Sequence, residues 1–285
     1  MSAQIINGHS IANQLLAKVK ARIKQRVLAQ KRTPSLAVIL LGEHAASLIY
    51  VRNKRQACAQ VGIDSKAYKL PDNTSEKALL ELIHTLNDDP SVDGILVQAP
   101  LPSLFDTARV FATINPAKDV DGFHPYNMGC LALRQPKLRC CTPFGVIKML
   151  ETLPLNLVGL HAVVVGASNH VGRPMALELL LQGCTVTVCH HHTQNLSEVV
   201  KTADVVVAAA GQPSLIRGDW IKPRATVIDI GITRLENGEI SGDVEFQMAR
   251  QHAAFISPVP GGVGPMTVAT LMENTLTAME LREGR

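Results

Sequence analysis

Apolar positions along the first half of the chain alternate between two periods. From Ile11 to about Gln30 they recur at the spacing of an amphipathic helix, whereas Leu36 to Leu41 is a continuous apolar run of strand length. Ser47 to Val61 contains neither glycine nor proline and reads as a helix, entered from the Leu36 strand through a short loop at Gly42 and Glu43. Lys66 to Leu70 reads as a strand. Asn73-Thr-Ser-Glu76 has the form of a capping box ahead of a helix carrying Leu79, Leu80, Leu82 and Ile83. Gly94 to Gln98 is a short buried strand closed by Pro100 and Pro102. Strands separated by helical segments need crossover connections, and the pattern therefore predicts a parallel sheet.

The second half opens with Thr142-Pro143, which reads as an N-cap followed by proline at the first helical position, and the helix continues through Val146, Ile147, Met149 and Leu150 toward Pro154. This helix is expected to link two domains. Strands follow at Ala162 to Val165, Thr185 to Cys189, Val205 to Ala209, Thr226 to Ile230 and Ala254 to Ser257, with helical segments between most of them. That is the pattern of a Rossmann-type, doubly wound nucleotide-binding domain, so the fold class is α/β. After Pro265 a last helix, Val268 to about Arg282, has no strand left to serve in that domain. No internal repeat or low-complexity linker interrupts the chain.

Composition narrows the function classes. With 285 residues, 46% of them apolar and 18% charged, the chain can bury a sizeable core in one large or two ordinary domains. The longest apolar runs are strand-sized, well short of the ~20 residues of a membrane span. Gln4 and Asn7 fall where a signal peptide would need an unbroken apolar core, so a cytoplasmic protein with no membrane partner is expected. The six cysteines form no C-x-x-C pair and no zinc-like spacing with histidine, which argues against a disulfide framework or a structural metal. A net charge of +4 suits an anionic small molecule and is also ordinary for a soluble protein. Aromatic residues are few and no basic cluster is interleaved with them, so nucleic-acid binding has little support.

Two segments can carry chemistry. Tyr50 and Lys54 lie four residues apart, so a helix places a phenol and an amine on one face, near the carboxyl end of a strand where open α/β sheets bind ligands. The competing reading is a surface helix with a solvated lysine. The second segment, Val163 to Pro174, is a strand, a tight glycine turn and a helix start whose free N–H groups would face a pyrophosphate. Gly166 permits close backbone approach and Gly172 close helix packing, but Ser168 replaces the middle glycine of a strict G-x-G-x-x-G and the spacing is one residue longer. A structural turn in any βαβ unit is the alternative. The end of the next strand reads Cys189-His-His-His-Thr193 where NAD-binding domains usually place a carboxylate, and the lack of one leaves room for a 2′-phosphate. The three histidines could form a solvated turn or an adventitious metal site. We adopt the turn, with no metal and with His191 nearest the phosphate. Gly211 and Gly231 follow later strands and would line the nicotinamide end of the crevice.

Taken with the Tyr50/Lys54 helix, the segments Asp93-Gly-Ile-Leu-Val-Gln-Ala-Pro-Leu-Pro102, Lys118-Asp-Val-Asp-Gly-Phe-His-Pro125, Cys141-Thr-Pro-Phe-Gly145 and Pro258-Val-Pro-Gly-Gly-Val-Gly-Pro-Met-Thr267 closely resemble the bifunctional methylenetetrahydrofolate dehydrogenase/methenyltetrahydrofolate cyclohydrolase family. The resemblance spans essentially the whole chain. It implies a discontinuous folate-binding domain of residues 1–141 plus 266–285, a Rossmann domain of residues 142–265, an active site in the cleft between them, NADP as cofactor and a homodimer. It also implies oxidation of 5,10-methylenetetrahydrofolate and hydrolysis of the resulting methenyl cation.

Only the hydrolysis needs acid–base help, and Lys54 is the residue expected to supply it, because desolvation and a neighbouring cation favour a lysine's neutral form. Gln98 would orient Lys54 without adding charge, and Tyr50 would stack on the folate. The Asp121 carboxylate would accept the paired N–H donors of the pterin. Pro260-Gly-Gly-Val-Gly264 is too glycine-rich for a helix and is expected to form a turn against which the substrate would lie, with Pro260, Gly261 and Gly262 as its contacts. Gly166, Ala167, Ser168, Val171, Gly172, His191, Gly231 and Ile232 are the expected cofactor contacts. A surface lysine, a strand-end glutamine, a half-buried tyrosine and a loop-capping aspartate are the bland alternatives. The chain departs from the family at Cys140, where proline is usual, at Ala99, where leucine is usual, and in carrying histidines where an arginine often stands. A dehydrogenase for another small substrate would share the Rossmann half, as would a nucleotide-binding regulator without chemistry.

Overall fold

The computed structural model describes residues 2–42 and 45–284. In chain order these form β1 (Gln4–Ile5), α1 (Gly8–Leu28), β2 (Ser35–Leu41), α2 (Ala45–Val61), β3 (Asp64–Leu70), α3 (Glu76–Asp88), β4 (Gly94–Val97), α4 (Thr107–Thr113), α5 (Pro125–Ala132) and α6 (Cys141–Leu150). The second half continues with β5 (His161–Val165), α7 (Gly172–Leu181), β6 (Thr185–Cys189), α8 (Leu196–Lys201), β7 (Val205–Ala208), β8 (Thr226–Asp229), β9 (Thr233–Arg234), β10 (Ile240–Ser241), α9 (Phe246–His252), β11 (Phe255–Ile256) and α10 (Val263–Glu283). Glu43, part of the loop expected before α2, lies outside the described residues. Among the described residues no helix is long and apolar enough to cross a membrane.

The chain divides into two compact units, residues 13–141 with 268–285, and residues 1–12 with 142–267. The first twelve residues therefore leave the domain in which the sequence reading placed them. The reason is strand pairing: β1 lies parallel to β11, with Gln4 opposite Phe255 and Ile5 opposite Ile256. A two-residue strand carries no periodicity, so only its partner reveals it. The boundaries fall inside α1, α6 and α10.

The unit of residues 13–141 and 268–285 is built on a parallel three-stranded sheet in the order β3-β2-β4. Every residue of β2 is buried, as expected for a central parallel strand covered on both faces, whereas the edge strand β3 is largely exposed. The N-cap of α3 is Ser75, whose hydroxyl accepts from Ala78 N at 3.2 Å. The capping box expected at Asn73 is thus displaced by two residues, and Glu76 instead accepts from Asp106 N at 2.7 Å. At the other end of α3, Lys118 Nζ donates to the carbonyls of Leu86, Asn87 and Asp89 at 2.9, 2.7 and 2.7 Å. A cation there satisfies the last carbonyls and the helix dipole together.

The other unit carries a parallel six-stranded sheet in the order β1-β11-β8-β7-β5-β6. Its central strands β5, β7 and β8 are almost wholly buried. Two helices start earlier than the sequence suggested. Helix α6 begins at Cys141, and the Thr142 hydroxyl hydrogen-bonds Thr267 Oγ1 at 2.9 Å. Helix α10 begins at Val263, so Pro265 is not a boundary. It lies in the first turn, where its missing N–H has no intrahelical acceptor to satisfy.

Candidate functional site

In an open parallel sheet, ligands bind at the carboxyl ends of the strands where the strand order reverses. In the first unit that point lies between β2 and β4. Gln98 follows β4 directly, and its backbone N–H still bonds Ile39 O in β2 at 2.9 Å. Helix α2, which follows β2, brings Lys54 to the same place: Lys54 Nζ donates to Gln98 Oε1 at 3.1 Å, and Gln98 Nε2 donates onward to Ala99 O at 2.7 Å. The amide is thus fixed with its oxygen toward the amine. Tyr50, one turn before Lys54, is 46% exposed and open to a ligand.

The loop that carries Asp121 is tied to β4 by an isolated parallel bridge between Ile95 and Asp119, after which a turn closed by Gly122 N donating to Asp119 O at 3.1 Å carries the chain through Asp121. Its loop is held on both sides. The buried Asp119 carboxylate accepts from Phe123 N, His124 N and Asn127 Nδ2 at 3.1, 2.8 and 2.8 Å, and burial pushes its proton affinity up against these donors. Asn274 Nδ2 donates to Val120 O and Arg139 O at 2.8 and 2.7 Å. Asp119 therefore fills the structural role and Asp121 is left half-buried. Burial pushes the Cys141 thiol well up, and the same thiol feels the opposing charges of Asp121 and Lys54. Two of the three departures also become intelligible. Cys140 donates its thiol to Gly122 O at 2.9 Å, a contact proline cannot make, and Ala99 packs at the edge of the core around Ile39 and Val97.

In the second unit the strand order reverses between β5 and β7. Gly166 follows β5 with φ +125°, and a Cβ there would overlap Ala209 O, just beyond β7. A Cβ on Gly172 would overlap Gly166 O. Glycine at both positions thus brings three backbone segments together. The cavity beside them, about 620 Å³, is lined among others by Gly166, Ala167, Ser168, Arg173, His191 and Gln212. The turn, the volume and the basic rim fit an adenine dinucleotide carrying an extra phosphate.

Two expectations for this turn need correction. The first donors of α7 are not free, because Ser168 Oγ accepts from Val171 N and Gly172 N at 3.2 and 3.3 Å, and Ser168 O from Arg173 N at 3.0 Å. The serine that replaces a glycine closes the turn onto the N-cap residue Val171 and the first helical residue Gly172, so a pyrophosphate must displace its hydroxyl or use donors earlier in the turn. Second, the basic groups are not histidines alone. Arg173 lines the same cavity as His190, His191 and His192, with its Nε donating to Ala167 O at 3.1 Å. The sequence reading looked for an arginine only in the histidine loop. The signal available was a cation one residue past Gly172, in the first turn of the helix that faces the phosphates.

The remaining expected contacts also fall in this unit. Gly231 is buried while Ile232 is 48% exposed. Pro260 is exposed, Gly261 is half-buried with φ +98°, and Gly262 is buried against Gly8, whose Cβ would overlap the Gly262 carbonyl. The turn expected over Pro260 to Gly264 is shorter than expected, since Val263 and Gly264 already belong to α10. Among the described residues no cluster of metal-ligating side chains occurs.

Comparison with known proteins finds two family domains, whose bounds along the chain differ from those of the two compact units. A family profile described as "Tetrahydrofolate dehydrogenase/cyclohydrolase, catalytic domain" matches residues 6–121, and one described as "Tetrahydrofolate dehydrogenase/cyclohydrolase, NAD(P)-binding domain" matches residues 140–283. The chain is 63% identical over 283 residues to the "Bifunctional protein FolD" of Methylobacillus flagellatus, covering 99% of this chain and 98% of that one. Among solved structures, the FolD methylenetetrahydrofolate dehydrogenase/cyclohydrolase of Campylobacter jejuni superposes with a TM-score of 0.96 at 44% identity, over 99% of this chain and 100% of that chain. The enzyme of Trypanosoma brucei, solved with NADP cofactor and an inhibitor, gives 0.95 at 37% identity, over 100% of this chain and 99% of the other.

Proposed function

The chain belongs to the tetrahydrofolate dehydrogenase/cyclohydrolase family, and from that premise we propose that it oxidises 5,10-methylenetetrahydrofolate with NADP and hydrolyses the product to 10-formyltetrahydrofolate. In the first step a hydride leaves the bridging carbon for the nicotinamide ring, which is the chemistry the cofactor supplies when bound. The carbon becomes a methenyl cation shared between two nitrogens, and no base is required. In the second step water adds to that carbon and loses one proton to give a neutral carbinol; one carbon–nitrogen bond then breaks as the carbinol O–H gives up the second proton to form the formyl C=O and the departing nitrogen takes a proton, with one proton released overall.

Lys54 serves the second step. Its hydrogen bond to Gln98 Oε1 is the observation that carries this reading, because it fixes an amine where a parallel sheet holds its ligand and shuttling a proton needs such a group. Asp121 accepts the pterin's ring N–H and amino donors as a bidentate anion, and Tyr50 stacks against the folate. Arg173 with His191 meets the 2′-phosphate, while Gly166, Ala167, Ser168, Val171 and Gly172 approach the diphosphate and Gly231 and Ile232 the nicotinamide end. Pro260, Gly261 and Gly262 supply the turn beside the substrate.

The protein works as a cytoplasmic homodimer in this reading. Six cysteines without a disulfide agree with a reducing compartment. The exposed edge strand β6, with Val188, and the exposed Val158 and Leu180 nearby offer a surface for a second copy. Absorbance of reduced nicotinamide and of the methenyl product, followed after mixing protein, NADP and methylenetetrahydrofolate, tests the catalytic reading. No reduction of NADP would end it.

A further inference from the structure

Behind the glycine turns of the nucleotide-binding unit lie two buried carboxylates that the reactions above do not use. Asp229, at the end of β8, is 3% exposed and Asp243 is fully buried. Asp229 Oδ1 accepts from Gly231 N at 2.9 Å and from Asp243 N at 3.0 Å, and its Oδ2 accepts from Val244 N at 2.9 Å. Asp243 Oδ2 in turn accepts from Ala210 N at 2.6 Å and Gly211 N at 2.9 Å. Asp243 Oδ1 has no hydrogen-bond partner and lies under Gly231, where a Cβ would overlap it. A Cβ on Gly242 would likewise overlap Asp229 Oδ2. Glycines at 231 and 242 thus admit the two acids to direct contact with the backbone.

The hydrogen bonds form one chain across the sheet. Asp229 fixes the loop after β8 at Gly231 and also holds the backbone of Asp243. Asp243 fixes the loop after β7 at Ala210 and Gly211, and Ala209 of that loop packs on Gly166 after β5. All three loops leave the carboxyl ends of neighbouring strands, the edge along which a dinucleotide lies. Burying two like charges is costly, and the strain is visible in Asp229, which burial, together with the charge of Asp243, pushes up to about 6 despite its backbone donors. Neutral side chains could cap the same N–H groups at lower cost.

We propose that Asp229 and Asp243 are positioning residues for hydride transfer, holding the glycine loops after β7 and β8 at the separation and tilt that the nicotinamide end of NADP requires. The inference rests on the reading of this chain as a two-activity folate enzyme. That reading supplies the control, because hydrolysis of the methenyl compound consumes no nicotinamide.

The test compares D243A and D243N in the full-length protein. It measures KM for NADP and kcat of the dehydrogenase, and, without any cofactor, turnover of supplied methenyltetrahydrofolate. D243A should raise KM for NADP and lower dehydrogenase kcat so that kcat/KM falls about tenfold or more, the scale of losing hydrogen bonds to a charged group. Cyclohydrolase turnover should stay within about twofold of wild type. Asn keeps an oxygen for Ala210 and Gly211, so D243N should recover most of the loss. An unchanged kcat/KM for NADP in D243A, or a parallel fall of both activities, overturns the proposal. Should D243A fail to fold, D243N decides against Ser at the same position: Ser is too short to reach both donors, and equal dehydrogenase kinetics in D243N and D243S overturn it. A wild-type protein inactive in both assays would instead overturn the folate reading itself.

Discussion

The two units place their chemistry at the same topological point and furnish it in opposite ways. Where β2 and β4 part, the proposed site is made of side chains: Lys54, the Gln98 amide hydrogen-bonded to it, and Asp121 on a loop clamped by Asp119 and Asn274. Where β5 and β7 part, the proposed site is made mostly of backbone: glycines at 166 and 172 and the loop at Ala210 and Gly211, whose N–H groups are held from behind by Asp243, with polar side chains pushed behind or to the rim. The reason lies in what each ligand asks. Hydrolysing a cation calls for a group that exchanges protons, which the main chain cannot do, whereas a dinucleotide asks for close approach and many fixed donors, which the main chain does best. A shared topology therefore says where a ligand goes and little about what happens to it.

The sharpest way to break this contrast is Lys54→Met, which keeps the side chain's length and removes the amine. Cyclohydrolase activity should fall ~10²-fold or more, the usual scale for a general acid–base group, while the dehydrogenase keeps a measurable fraction and methenyl product accumulates in the coupled assay. A parallel loss of both activities would make Lys54 a binding residue, and no loss would return it to a solvated helix face. Asp121→Asn should act on both reactions alike, with about 2 to 4 kcal/mol of lost transition-state stabilisation, because an amide donor then faces pterin donors. An unaltered KM for folate would place the pterin elsewhere.

A third measurement addresses stability in the backbone-built unit. Asp229 titrates near 6 in the folded chain, against roughly 3.9 for an unfolded aspartate. Between those values the folded state holds a proton that the unfolded state has released. Its contribution is therefore greatest below about pH 4, declines as pH rises to about 6, and is flat above, by at most ~3 kcal/mol. Urea midpoints of wild type and Asp229→Asn across that range should show a shallower slope in the variant, and superimposable slopes would refute the assignment. Arg173→Ala should raise KM for NADP about tenfold while KM for NAD barely moves, with His191→Ala giving a smaller shift of the same kind. Equal effects on the two cofactors would remove Arg173 from the 2′-phosphate. The smallest effect is expected from Ser168→Ala. It frees the N–H groups of Val171 and Gly172 for phosphate at the cost of two hydrogen bonds that close the turn, so KM for NADP should change less than about threefold.

The two sites were unequally legible in the sequence, and the difference follows from the same contrast. Lys54, Gln98 and Asp121 carry functional groups at recognisable spacings, and the fold sets the first two within hydrogen-bonding distance while the Ile95–Asp119 bridge ties the loop of the third to β4. The glycine turn was legible as a turn. Its electrostatics were not, because whether an N–H is free depends on where Ser168 Oγ points, and Arg173 joins the histidines only when α7 and the loop after β6 are packed side by side. Asp229 and Asp243, fourteen residues apart, gave no motif at all.

The sequence by itself determined what depends on local periodicity and residue type: alternating strands and helices, two parallel sheets, glycines where the backbone must turn left-handed or approach closely, and an amine beside a phenol on one helix face. Only the tertiary structure decided what depends on pairing between distant segments. It moved residues 1–12 into the nucleotide-binding unit through two residues of β1, started α10 at Val263 despite Pro265, closed the turn before α7 through Ser168 Oγ, and threaded one hydrogen-bonded chain from Gly231 to Gly211 through two buried acids. A hydrogen bond made at short range competes with every alternative that the fold brings near, and which partner wins is fixed only when burial removes water as the competitor.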